Sequence, residues 1–267
     1  MELKQFCEGI KLSPSAQEIV YTYLMNENEY QSYKQDFYNN RFSFFERVKQ
    51  TSEYRILFLY LFVRFAVDAY DEYRIRGIED EVYFDTFADI QLWCLRCKHD
   101  FDEYGIQEYN WLQEHVQLRL FKLGRLQFQP FVFDRDIELQ GRMIYKNQVV
   151  LNVHIPEGEP LTPHKTQESF VRAKTFFRGI TPVFICHSWL LYPQLDEVLP
   201  SDSNIIQFQN EFHIYEVDPD SKEAEQRIFN GSSSDPSSYA EHTTLQRSAK
   251  AYLIAGNKLG SGFGIKI

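Results

Sequence analysis

Two histidines fall where a sheet would open onto a ligand. In LNVHIPEGEPL, residues 151 to 161, a run that alternates as a strand through Leu151, Val153 and Ile155 breaks at Pro156, Gly158 and Pro160, and leaves His154 at the strand's end. In TPVFICHSWL, residues 181 to 190, a second strand-like run ends on His187, Ser188 and Trp189. Between them Thr162 and Pro163 form a cap and first-turn pair for a helix with Phe170, Ala173 and Phe177 facing inward. A helical crossover makes the two strands parallel, so both histidines come to the same end, where ligands of open α/β sheets bind. An imidazole, with its unperturbed pKa of about 6.5, takes up and returns a proton at neutral pH, and the pair is a candidate proton-transfer site.

The plainer alternatives are specific. A strand-end histidine is often a packed side chain hydrogen-bonded to backbone. Trp189 reads as core, with a place in a substrate pocket as the alternative, and Ser203 with Asn204 reads as a helix start, with Asn204 at the cleft as the alternative. Ser188 or Cys186 as a nucleophile activated by His154 would make a hydrolase, but neither lies in a G-x-S-x-G context. CLRC at 94 to 97 has no second pair to complete a zinc site, and no metal is expected. No helix follows GSGFG near the C-terminus, so it cannot cradle a dinucleotide. The acidic string from Glu79 to Asp89 reads as a solvated helix face.

The elements that must hold these residues change character near residue 124. Before it the period is helical: a segment opening at Ser13 and Pro14, a long helix from about Ser52 to Arg74, a third carrying Phe84, Phe87, Leu92 and Leu95, and a fourth over QEYNWLQEHVQLRLFKLG that ends at Gly124. After it the pattern alternates: RLQFQPFVFD, then GRMIYKNQVVLNVHIP as two strands around a turn at Lys146 and Asn147. The crossover helix and the TPVFICHSWL strand follow, then helices over LDEVL and SNIIQFQNEF, the strand HIYEVD, the loop NGSSSDPSS, a helix through Leu245 to Leu253 and a terminal strand GFGIKI. The expectation is a helical domain over 1–124 and an α/β, mixed-sheet domain with flanking helices over 125–267, α+β overall.

Composition narrows the function classes. A formal charge of −10 over 267 residues repels polyanions over most of the surface, so neither nucleic acid nor an anionic membrane is an expected partner. MELKQFCEGI lacks the apolar core of a secretory signal, and ILFLYLFV at 56 to 63 is too short to span a bilayer. Four cysteines are too sparse for a disulfide framework. These features point to a soluble, cytoplasmic protein.

Five stretches together, DTFADIQLW, WLQEHVQLRLFKLGRLQF, LNVHIPEGEPL, CHSWLLYPQL and SNIIQFQNEF, resemble a bacterial family with an N-acyltransferase N-terminal domain followed by a GNAT-like C-terminal domain, over roughly residues 1 to 260. The resemblance implies an acyltransferase that moves an acyl group from a thioester, acetyl-CoA or another acyl-CoA, to a small-molecule acceptor, an amine by expectation. Such a transfer needs a base, an oxyanion donor and an acid for the departing thiolate. His154 and His187 can serve as base or relay, Ser188 as auxiliary acid, and a bulge near Asn152 to Ile155 as the source of a backbone N–H for the oxyanion. The helix after Thr162 would face the donor's phosphates. GNAT enzymes hold the pyrophosphate there with a Gln/Arg-x-x-Gly-x-Gly/Ala loop, whereas this chain has PEGEPLTPHKTQES. Gly158 is its only glycine, and His164 and Lys165 are its only cations. Gly158, Thr162, His164 and Lys165 are therefore the candidate donor contacts. The alternative is a non-catalytic ligand-binding or regulatory protein that has lost coenzyme A binding.

Overall fold

The computed structural model describes residues 1–180 and 182–267, and the chain divides into two compact units, Met1–Leu123 and Gly124–Ile267. The first contains α1 (Leu3–Gly9), α2 (Pro14–Thr22), α3 (Glu27–Asn39), α4 (Arg41–Lys49), α5 (Tyr54–Ile75), α6 (Asp80–Phe87), α7 (Asp89–Phe101), α8 (Tyr109–Val116) and the short strand β1 (Phe121–Leu123). Helix α5 is its spine. Leu57 through Val63 are all buried, so this stretch is apolar all round and other helices must enclose it. Phe37 of α3 and Phe44 of α4 pack their rings against its Phe58, Phe62 and Phe65, with Phe37 and Phe65 4.9 Å apart. Asn26 and Asn40 cap α3 and α4 by accepting from the amides of Glu29 and Ser43.

Three expectations change in this unit. The fourth helix stops at Val116 because Leu118 takes a left-handed conformation (φ 52°) and Arg119 N–H turns back to the Glu114 carbonyl, which frees 121–123 to be a strand. The third helix is two, α6 and α7. The acidic string is not solvated throughout: Asp89 is buried, accepting from Trp111 Nε1 at 3.0 Å and lying 2.9 Å from Nε2 of the fully buried His115. Cys94 and Cys97 are buried as well, and burial pushes their thiols up to about 12 and 11.

The second unit contains β2 (Leu126–Val132), β3 (Ile137–Leu139), β4 (Arg142–Ile144), β5 (Val149–His154), α9 (Pro163–Phe176), β6 (Phe184–Ser188), α10 (Asn204–Gln209), β7 (His213–Asp218), α11 (Glu223–Phe229), α12 (Thr244–Ile254) and β8 (Ser261–Lys266). The five long strands lie in the order β2, β5, β6, β8, β7. Only β5 and β6 are parallel among the described pairs, as the α9 crossover requires. Strand β4 pairs with β3 rather than with β5, forming a separate hairpin whose Ile137, Leu139 and Ile144 cover Val150, Ile185 and Ile265 on one face of the sheet. The opposite face is aromatic: Phe170 of α9 sits 6.0 Å from Phe128 and 4.9 Å from Phe184. The expected helix over LDEVL is a 3₁₀ turn, Pro193–Glu197, and a second such turn, Trp189–Leu191, ends the run of β6.

The glycine-rich terminal string has a packing role. A Cβ on Gly262 would lie 2.3 Å from the Leu191 carbonyl oxygen, and one on Gly264 2.8 Å from Leu191 Cδ1, so β8 stays bare where the chain doubles back across it. Among the described residues, no helix is long and apolar enough to cross a membrane, and no cluster of metal-ligating side chains occurs.

Candidate functional site

Register decides which side chains meet. In the antiparallel pair of β2 and β5, Gln127 stands opposite His154 and Gln129 opposite Asn152, so these four share one face. The parallel pairing of Asn152 with Ile185 puts His187, two residues on, on that same face. Phe263 lies opposite His187, and Ser261 Oγ is 3.4 Å from His187 Nε2. The lower part of this face is closed by the β3/β4 hairpin. The upper part is a polar row of Gln127, Gln129, Asn152, His154, His187 and Ser261.

His154 is half-buried, and its Nε2 is within 3.1 Å of Gln129 Oε1 and 3.2 Å of Asn152 Nδ2. One ring nitrogen cannot satisfy both amides at once: protonated, it donates to Gln129; bare, it accepts from Asn152. The two amides therefore bracket the tautomer of His154, and each proton position has a neutral partner. His187 is exposed to solvent. Gln127 and Ser261, at 1% and 0% exposure, are the buried members of the row.

The described pairing of β5 with β6 stops at Asn152 and Ile185, although the strands run on to His154 and Ser188. On the other side of β5 the register with β2 is regular through His154, so the expected bulge between Asn152 and Ile155 is absent from that ladder. The strands instead part at the two histidines, and the backbone groups facing the gap lie outside the described ladder there.

The other candidates go elsewhere. Ser188 is next to His187 in sequence and therefore points to the opposite face. It is 6% exposed, and its Oγ accepts from the Leu190 amide at 3.2 Å as the cap of the 3₁₀ turn. Cys186 is wholly buried on that same aromatic face, and burial pushes its thiol far above the usual range, which removes it as a nucleophile. Trp189 packs against the cluster of Tyr192, Leu195 and Leu259, and its amide donates to Glu223 at 3.1 Å. Asn204 is the exposed first residue of α10, which Ser203 caps through the Ile206 amide at 3.2 Å. The sheet brings His154 and His187 to one face, and does not bring Ser188, Trp189 or Asn204 there.

The loop before α9 holds the remaining set. Gly158 takes a left-handed φ of 109° with open space around it. Thr162 precedes α9 without a side-chain cap, His164 is exposed, and Lys165 pairs with the Glu159 carboxylate. A residue that sequence reasoning missed joins them. Arg125 is 8% exposed; its Nε donates to the Glu159 carbonyl at 2.8 Å, while its own amide donates to Ser169 Oγ at 2.8 Å. Burial lowers its pKa against the pull of Glu159, and among the described residues no carboxylate is hydrogen-bonded to its guanidinium. A desolvated cation held by a carbonyl keeps donors and charge for an anion, so this corner is chemically suited to phosphate. A lone arginine after Gly124 has no spacing signature in the sequence; only the returning loop buries it.

Comparison with known proteins covers both parts of the chain. Residues 1–118 match the model of the N-acyltransferase N-terminal domain, and residues 120–266 match that of the GNAT-like C-terminal domain. No curated protein matches. Among solved structures, an acyltransferase in complex with decanoyl-CoA and teicoplanin superposes with a TM-score of 0.79 at 21% identity, covering 99% of this chain and 87% of that one. An acyltransferase in complex with CoA and 10C-teicoplanin gives 0.79 at 20% identity, with the same coverage. A third, in complex with decanoyl-CoA, gives 0.75 at 19% identity, covering 98% of this chain and 86% of that one. At these identities the likeness establishes the fold.

Proposed function

The chain belongs to the family that joins an N-acyltransferase N-terminal domain to a GNAT-like C-terminal domain, and from that premise we propose that it transfers an acyl group from an acyl-CoA to a small-molecule amine. The observation that carries the reading is the polar row at the parting of β5 and β6, where His154 and His187 share a face. The acceptor nitrogen attacks the thioester carbonyl carbon; the C–N bond forms and the carbonyl electron pair moves to oxygen. Collapse of that intermediate breaks the C–S bond and releases the thiolate. His154, its Nε2 proton held by Gln129, takes the proton of the attacking nitrogen on Nδ1. His187, exposed at the neighbouring strand end, relays a proton from solvent to the thiolate, and His154 then releases its own to solvent, so the cycle closes without a net change on either imidazole.

Donor binding is assigned to Arg125, Lys165, His164 and the N-terminus of α9, with Gly158 and Thr162 shaping the loop. The structural neighbours bound to decanoyl-CoA and CoA support a CoA thioester as the donor, and the one bound to teicoplanin as well supports a small-molecule acceptor. Four free, buried cysteines fit a reducing compartment, in keeping with a bacterial cytoplasmic enzyme.

A second reading has an observation of its own. The donor loop carries Glu157 and Glu159 and a single glycine, and Glu159 already occupies Lys165. A chain that had lost donor binding would look like this and would act as a ligand-binding protein. Thermal unfolding with decanoyl-CoA, acetyl-CoA and free coenzyme A separates the two, because a ligand bound only by the native state raises the midpoint. A concentration-dependent rise that weakens in Arg125→Ala supports the transferase. No rise with any of the three, in protein shown to be folded, selects the binding protein.

A further inference from the structure

The end of β7 and the approach to β8 frame a cavity of about 150 Å³, the size that admits one six-membered ring. Pro219, Pro236 and Leu259 give it apolar walls, and Ser233 and Asn257 add polar groups. We propose that this cavity is a binding site for a compact, ring-sized primary ammonium compound, held by the carboxylate of Glu225.

The argument turns on which charge is fixed in the wall and which can leave. Glu225 is 2% exposed, whereas the two lysines at the cavity, Lys222 and Lys258, have side chains 58% and 61% exposed. Lys258 is committed to Asp220 at 2.5 Å. The Oε2 atom of Glu225 accepts from the Tyr239 hydroxyl. That hydroxyl in turn accepts the Ser233 amide at 2.6 Å, and the tyrosine ring is stacked on Phe229 at 4.0 Å, so the carboxylate cannot turn away. The Oε1 atom accepts from Lys222 Nζ at 2.6 Å. Lys222 is thus a tethered ammonium standing where a ligand's would stand. Its side chain is 58% exposed and can move into solvent, and an incoming ammonium that takes its place keeps the buried carboxylate paired, so the exchange avoids the cost of an uncompensated charge. An incoming anion would meet a buried carboxylate at contact distance with no such exit, so the site selects cations.

The test is isothermal titration of the whole protein with trans-2-aminocyclohexanol, using trans-cyclohexane-1,2-diol as the uncharged isostere. The expected result is binding of the amine and not of the diol. Lys222→Ala, a surface change that removes the tethered competitor, tightens the amine several-fold. Glu225→Gln weakens it at least tenfold in protein that keeps its unfolding midpoint. The proposal is overturned if the diol binds as well as the amine, or if Lys222→Ala leaves the amine's affinity unchanged or weaker. No acyl donor is present, so the result is independent of the transfer reaction.

Discussion

The two faces of the sheet in the second unit are built from the same strands and differ by a single step along each. On one face Phe128, Phe184 and Cys186 are sealed, and Phe170 packs its ring on both phenylalanines. On the other, the strand ends present amides, two imidazoles and a serine hydroxyl, and the exposed His187 reaches solvent. In a strand, neighbours in sequence are opposed in space. The aromatic face is packed along the strands, whereas on the other face the hairpin covers only the lower part, which leaves the strand ends there able to carry side chains chosen for chemistry.

If that division holds, substitutions on the two faces separate activity from stability. The largest effect expected is on the polar face: His154→Ala lowers acyl-transfer turnover by about 10²- to 10⁴-fold, on the order of 3–5.5 kcal/mol of barrier, with the thermal midpoint unchanged. Release of free thiol from decanoyl-CoA in the presence of an accepted amine measures it. Turnover within threefold of the parent would remove His154 from the reaction. Next comes the aromatic face. Phe170→Ala costs about 3–5 kcal/mol of stability, read as a lower denaturant midpoint, while molecules that remain folded keep their turnover.

The same alternation explains what the sequence could and could not tell. The β5–α9–β6 order was readable, because a strand, a helix opened by Pro163 and a second strand in succession leave a parallel crossover as the economical arrangement, and the two histidines follow from it. The long helix α5 was readable from its apolar length. Helices α3 and α4 were not, since ENEYQSYKQDFYN and RFSFFERVK are polar enough on average to resemble loop, and their aromatic face becomes legible only against α5. The end of α8 depended on one left-handed residue, Leu118, with no glycine to announce it before Gly124. At the site, His187 and Ser188 adjoin in sequence but point to opposite faces of β6, a separation that only the strand's register shows. Arg125 was invisible because its burial comes from a loop more than thirty residues away.

A smaller effect tests how tightly the aromatic side is filled. Gly262 and Gly264 pair with Ser188 and Cys186, and Leu191 lies across them. Gly262→Ala sets a methyl 2.3 Å from the Leu191 carbonyl oxygen, and since backbone must move to relieve it, a loss of about 1–3 kcal/mol is expected. Differential scanning calorimetry reads it directly. An unchanged midpoint would mean that the 3₁₀ turn over 189–191 gives way freely, and the aromatic side would then be softer than its packing implies.

The smallest effect is the sharpest test, because it concerns two adjacent residues. Ser188 would be an acid for the departing thiolate if sequence proximity to His187 placed it in the site. In the fold its Oγ accepts the Leu190 amide and caps the turn that carries Leu191 back over β8. A cap removed costs about 1 kcal/mol, so Ser188→Ala should lower stability by that amount and leave kcat and KM for the acyl donor within twofold. His187→Ala should do the reverse, lowering kcat with little change in midpoint, because its exposed ring has only a long contact to Ser261 to lose. A loss of a hundredfold in kcat for Ser188→Ala, with the midpoint held, would require its hydroxyl to leave the cap and cross to the polar face during turnover. The two faces would then not be separable, and the transfer would need a rearrangement of β6 that its ladder with β8, intact through Ser188 and Gly262, opposes.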